Sequence, residues 1–217
     1  KSKKCTELKH WKYPSQIPQN LQWNLNLNLL QDGWLKVSDL LQSSTGHIIT
    51  TLQEMRPAIT GELNNLLEFL PISTWPSLRT HRPDYCGEPV GSAEINLWKR
   101  GQWNSGVCQY VPTLCVYLKR NKKVFTFNAV ANVLDTISIM YIVPGLHRGP
   151  KHNTRAVVLH YGISTVLSIG SELSIRVANT TKKINDTSFQ IYDGSFEHEI
   201  WNNGEIPWIG LHVPFLH

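Results

Sequence analysis

The apolar residues of this 217-residue chain change their spacing near its middle. Between residues 44 and 70, Ile48, Ile49, Leu52 and Met55, then Leu63, Leu66, Leu67 and Leu70, recur at steps close to a helical turn. That spacing gathers them on one face of a helix. Pro57 can open a new turn inside the segment and Pro71 ends it, because proline lacks the N–H that a helix interior requires. The simplest use of the Leu face is to pack on a sheet; the alternative is a partner-binding helix. From Glu94 onward the pattern is β. Residues 93–98, 113–118, 124–130, 136–143, 156–161, 165–169, 172–177, 189–193 and 207–213 are strand windows. Many are rich in Val, Ile, Thr and aromatic residues, and turn residues separate most of them. Short strands at this spacing predict a sandwich or barrel.

The remainder of the chain organises around these two patterns. Residues 1–20 are polar and interrupted by Pro14 and Pro18, which predicts a surface arm. Residues 21–41 carry Leu25, Leu27 and Leu29 in alternation among further apolar positions, and strand and helix fit them nearly equally. Residues 71–93 are rich in Pro, Gly and Ser, which predicts a long loop. The predicted organisation is an arm (1–20), a helical layer with a loop (21–93), and a β-domain (94–217).

Composition narrows the classes. A hydrophobic content of 41% with eight Trp is enough for a packed core. No run approaches the length of a membrane-spanning helix, and no secretory apolar segment opens the chain. A membrane anchor, if the protein has one, is expected outside this segment. The net charge is +5, but the basic residues are scattered apart from clusters at residues 1–4 and 119–123. A nucleic-acid partner is not predicted, because such modules show a denser basic stripe with interleaved aromatics. The four cysteines lack C-x-x-C spacing, which argues against zinc. Cys108 and Cys115 enclose a short loop that can close into a disulfide. Asn179 and Asn185 each begin an N-x-Thr glycosylation sequon. Together these features favour an oxidising, lumenal compartment of the secretory pathway. No G-x-S-x-G, Walker or G-x-G-x-x-G motif supports a hydrolase or nucleotide-binding reading.

The chemically most informative stretch is 189–201. Phe189, Ile191 and Asp193 alternate with Gln190 and Tyr192. A turn follows at Asp193-Gly194-Ser195, and then His198 stands between Glu197 and Glu199. A histidine where a strand bends is either a hydrogen-bonded turn residue or an imidazole directed into a cavity. The flanking glutamates either orient it or are solvated carboxylates.

The run Asp193-Gly194-Ser195-Phe196-Glu197-His198-Glu199-Ile200-Trp201 resembles the end of the aspartyl/asparaginyl β-hydroxylase domain, a family of iron(II)- and 2-oxoglutarate-dependent oxygenases. Residues 172–179 resemble the strand that precedes it. Ile95-Asn96-Leu97-Trp98-Lys99-Arg100-Gly101 and the Cys108/Cys115 pair resemble an upstream segment of the same family. The resemblance implies a mainly β fold, a double-stranded β-helix (jelly-roll, cupin-like) core with an N-terminal helical layer. It also implies a lumenal, endoplasmic-reticulum enzyme with a disulfide at Cys108/Cys115. Its substrate would be a polypeptide, such as an EGF-like domain, hydroxylated at the β-carbon of Asp or Asn.

By the same resemblance, His198 matches the second iron ligand, and His147 in His147-Arg148-Gly149-Pro150 matches the first. A gapless match instead puts Gly149 at the first ligand position, and His152 is a third possibility. Ser138 and His160 match residues of the 2-oxoglutarate pocket. The family's two carboxylate-gripping arginines fall here on Val158 and Trp208, neither of which can pair a carboxylate. Arg155, or else Arg176, is the expected substitute. That departure supports an alternative: an inactive, divergent domain that keeps the fold and binds polypeptide. A cupin-like glycan binder that uses the many Trp is a third reading.

Overall fold

The computed structural model describes residues 33–36, 40, 44–77, 92–99, 101–122, 136–151, 156–194 and 196–216. The strands are β1 (Trp34–Leu35), β2 (Ala93–Lys99), β3 (Gln102–Trp103), β4 (Thr136–Ile142), β5 (His147–Lys151), β6 (Ala156–Gly162), β7 (Glu172–Val177), β8 (Thr180–Asn185), β9 (Phe189–Asp193), β10 (His198–Trp201) and β11 (Trp208–Leu216). They form two antiparallel sheets. The larger has the order β1-β9-β6-β11-β4-β2-β3 and the smaller β5-β10-β7-β8. The helices are α1 (Ser44–Glu54), α2 (Arg56–Phe69), α3 (Ser105–Cys108) and α4 (Pro112–Arg120), with a 3-10 turn at Ile72–Thr74.

The central strands of the larger sheet are buried on both faces. One face presents Ile137, Ile139, Leu159, Tyr161, Leu211 and Val213 to Leu52, Ile59, Leu63 and Leu66 of the helices. The alternate residues Met140, Ile142, Val158, Tyr192 and Trp208 point inward, against Leu173, Ile175, Val177 and Ile200 of the smaller sheet. This second core lies between the sheets and defines a lumen. The helical layer is also tied by polar contacts. Arg56 Nε donates to the Tyr161 hydroxyl at 2.7 Å, and that hydroxyl donates to the Leu52 carbonyl at 3.3 Å. The fold is therefore mainly β, a jelly roll with helices packed on the outer face of its larger sheet.

The helix break at Pro57 falls as expected, since proline is tolerated in the first turn of α2. Two strand windows are corrected. Residues 113–118 lie in α4, not a strand. Pro112 occupies its first turn, and Glu62 from α2 accepts the Thr113 and Leu114 N–H groups at 2.6 and 3.2 Å. An anionic acceptor at a helix N-terminus outweighs the modest β-propensity of Thr113 and Val116. Residues 165–169 form turns, because Ser168 Oγ accepts the Thr165 N–H and donates to the Ile163 carbonyl. The window at 124–130 lies outside the described residues. Residues 180–185, between the two sequon asparagines, form strand β8, paired along its length with β7.

Candidate functional site

β10 alternates strictly. His198 and Ile200 are fully buried and face the lumen, whereas Glu199 and Trp201 face outward. The His198 ring is fixed by its backbone neighbour, with Nδ1–H donating to the Phe196 carbonyl at 2.9 Å. That bond leaves the lone pair on Nε2, the arrangement typical of a metal-ligating imidazole.

A band of aromatic and polar rings continues from His198 across the lumen. Its ring lies 5.2 Å, centroid to centroid, from that of Tyr192 on β9. Tyr192 stacks nearly parallel on His160 of β6 at 5.8 Å, and its hydroxyl meets His160 Nε2 at 3.1 Å. His212 Nδ1 reaches the same nitrogen at 3.3 Å. Ser138 is the register neighbour of His212, just as His212 is of His160. Ser138, His212 and His160 thus form a row across β4, β11 and β6. Burial drives the Tyr192 phenol well above its ordinary pKa, opposed by the positive charge of Arg148, so it stays protonated at neutral pH.

The two family arginine positions are filled differently. Val158 and Trp208 are both fully buried in the lumenal core. The Trp208 indole folds over Gly210, where a Cβ would stand 2.1 Å from the ring. Glycine is required there by this close approach.

The structure does not bring His147 to His198. His147 is the register partner of Trp201, so it shares the outward face, and its ring lies edge-on to Trp201 at 5.7 Å. Its Nε2–H donates to Glu199 at 2.7 Å. Glu199 also accepts from Arg176 Nε at 3.0 Å, and Arg176 pairs with Glu197 at 2.6 Å. The flanking glutamates therefore neither orient His198 nor stand solvated; they belong to an ion-paired cluster on the far side of the sheet. Burial raises the Glu199 pKa, but hydrogen bonds and charge from His147 and Arg176 outweigh it and hold the carboxyl below its ordinary range. Arg176 is committed to this cluster and cannot serve the lumen. Arg155 and His152 lie outside the described residues.

Among the described residues, no group of three His, Cys, Asp or Glu side chains is placed to hold a metal ion. The described residues do not complete a metal site around His198. Ser138 and His160 lie on the face of the larger sheet that also carries Met140 and Trp208. Sequence reasoning gave no role to Tyr192, His212 and Arg148. The alternation in 189–193 places Tyr192 opposite in phase to Ile191, and the spacing of His212 from Trp208 places both on one face. Those were the available signals. Cys108 and Cys115 form the expected disulfide between α3 and α4. Asn179 is exposed beyond the end of β7, and Asn185 is exposed with its Oδ1 accepting from the Thr187 N–H and hydroxyl.

The fold and this lumen define a jelly-roll domain with a buried, imidazole-lined interior. The sequence model of the aspartyl/asparaginyl beta-hydroxylase family matches residues 54–217, and the chain belongs to that family. It is 28% identical to the human aspartyl/asparaginyl beta-hydroxylase over 111 residues, which is 51% of this chain and 14% of that protein. The mouse protein of the same name is 27% identical over the same share. The match thus spans about one-seventh of these relatives' length. Solved structures with similar architecture include a cupin 2 conserved barrel domain protein from Salinispora arenicola (8% identity, TM-score 0.34, 64% of this chain and 89% of that one). Another is the Cnp3 cupin domain of Schizosaccharomyces pombe (11% identity, TM-score 0.32, 38% and 52%).

Proposed function

We propose that this domain hydroxylates the β-carbon of Asp or Asn side chains in a polypeptide, with iron(II) and 2-oxoglutarate as expected from the family resemblance. The observation that carries this reading is His198: a fully buried imidazole in the lumen, its Nδ1–H held by the Phe196 carbonyl, within a family-matched segment. Bound iron would supply dioxygen activation coupled to decarboxylation of the co-substrate. The chain's own residues do the rest. Phe196 fixes the His198 tautomer, Tyr192 and His160 wall the lumen, and Val158 and Trp208 exclude water from it. In this reading the second imidazole comes from outside the described residues, and His152 is the candidate. Glycosylation at Asn179 and Asn185 and a place in the endoplasmic reticulum lumen belong to the same proposal, supported by the sequons and the Cys108–Cys115 disulfide. An EGF-like domain is the proposed type of substrate.

Anaerobic titration with iron(II) and 2-oxoglutarate, followed by visible absorption, tests the cofactor assignment. The expected result is a weak charge-transfer band that is absent in His198→Ala. Iron binding without the band would favour the alternative of a polypeptide-binding domain without turnover. That alternative draws its support from Val158 and Trp208 at the arginine positions and from the outward placement of His147.

A further inference from the structure

We infer that the lumen holds a small carboxylate ligand gripped by Arg148, an arginine supplied by the smaller sheet, opposite the strands that carry the family's arginine positions. Arg148 is the register partner of Ile200, which is buried in the lumenal core, so it shares the inward face while its neighbour His147 faces out. Its Nε is buried and has no hydrogen-bond partner among the described residues. Two fully buried lumenal side chains share this condition: Ser138 through its hydroxyl and Trp208 through its indole nitrogen. The Arg148 charge is also felt at the buried Tyr192 phenol between His198 and His160.

Arg148 Nε and Trp208 Nε1 can only donate. A buried donor without an acceptor is costly, so this lumen is arranged for an acceptor. Among the described residues the nearby carboxylates are committed elsewhere. Glu197 and Glu199 bind Arg176 on the outward face, and Asp193 lies on the face of β9 shared with Ile191. The guanidinium therefore has no lumenal counter-ion within the described structure. A guanidinium fork matches a carboxylate, and the Ser138 hydroxyl and the indole N–H add neutral donors. Because Trp208 and Val158 occupy the other arginine positions, the ligand enters with one charged anchor instead of two.

The carboxylate comes either from the 2-oxoacid co-substrate or from an Asp side chain of the polypeptide. The inference deepens the proposed hydroxylase reading but does not depend on its metal. The test is isothermal titration calorimetry on the metal-free protein with 2-oxoglutarate and, separately, with a terminally blocked Asp-containing peptide and its Asn counterpart. At least one carboxylate should bind saturably, identifying the source. Its affinity should fall by about tenfold or more in Arg148→Met, the loss of a charge-assisted hydrogen bond. Arg148→Lys should retain part of it, and Ser138→Ala should lose a few-fold. Circular dichroism would establish that the variants fold, and Ser138→Ala reports independently should Arg148→Met not fold. No binding of any of these ligands, or equal binding by wild type and Arg148→Met, would overturn the assignment. Binding that depends on Arg148 in a protein that hydroxylates nothing would sustain it while refuting the enzyme reading.

Discussion

Replacing Glu199 with Gln tests the outward placement of His147 most sharply. The Glu199 carboxylate accepts from His147 at 2.7 Å and from two nitrogens of Arg176. The three side chains are only 12–22% exposed, so the cluster lies between a surface pair, at about 0.2–1 kcal/mol, and a broken buried pair, at about 3–5 kcal/mol. Arg176 keeps Glu197 and the Ala178 carbonyl in the variant, and Gln retains one acceptor oxygen. The expected destabilisation is therefore about 2 kcal/mol at neutral pH, or a urea midpoint lower by roughly 1 M. The pH dependence has a fixed sign. The folded-state pKa of Glu199 is depressed below its reference value of 4.5, so its contribution is complete above that value and is lost as pH falls through the folded pKa. The gap between wild type and Glu199→Gln should close in the acid range as the carboxylate is protonated. Urea unfolding at several pH values measures both. A gap under about 0.5 kcal/mol at neutral pH, or one that persists undiminished once the carboxylate is protonated, would refute this account of the cluster.

Two further substitutions probe the lumen. Gly210→Ala places a Cβ 2.1 Å from the Trp208 ring and 2.5 Å from the Tyr161 carbonyl; it should destabilise by about 1–3 kcal/mol or more, measured by thermal or urea unfolding. Tyr192→Phe keeps the stacking on His160 but removes the 3.1 Å hydroxyl contact. It should cost about 0.5–1.5 kcal/mol, and an unchanged unfolding midpoint would contradict that contact.

A β-domain preceded by helix was legible because apolar spacing reports burial directly, whereas the jelly roll itself was implied only by the family resemblance. The helix face at Ile48, Ile49, Leu52, Leu63 and Leu66 and the strands at 136–142 and 172–177 all lie where their patterns place them. Spacing failed where a distant group decided the conformation: Glu62 capping α4 favours helix over the modest β-propensity of Thr113 and Val116. It failed again at 165–169, where serine and threonine hydroxyls compete with strand pairing. His198 was singled out by its motif, and the structure buries it. The side of the sheet on which His147 lies was not, because a single step in register, here beside an irregularity between β5 and β10, exchanges the two faces. The same step turned Arg148, hidden inside the His147 motif, toward the lumen.

The most direct test of the central assignment is a hydroxylation assay by mass spectrometry. The protein, supplied with iron(II), 2-oxoglutarate and dioxygen, is presented with an EGF-like polypeptide containing Asp or Asn. A gain of one oxygen atom at that residue is expected with the wild type, none with His198→Ala, and retained turnover with His147→Ala. Turnover that survives in His198→Ala, or that disappears in a folded His147→Ala, would contradict the assignment of the lumen around His198 as the active site.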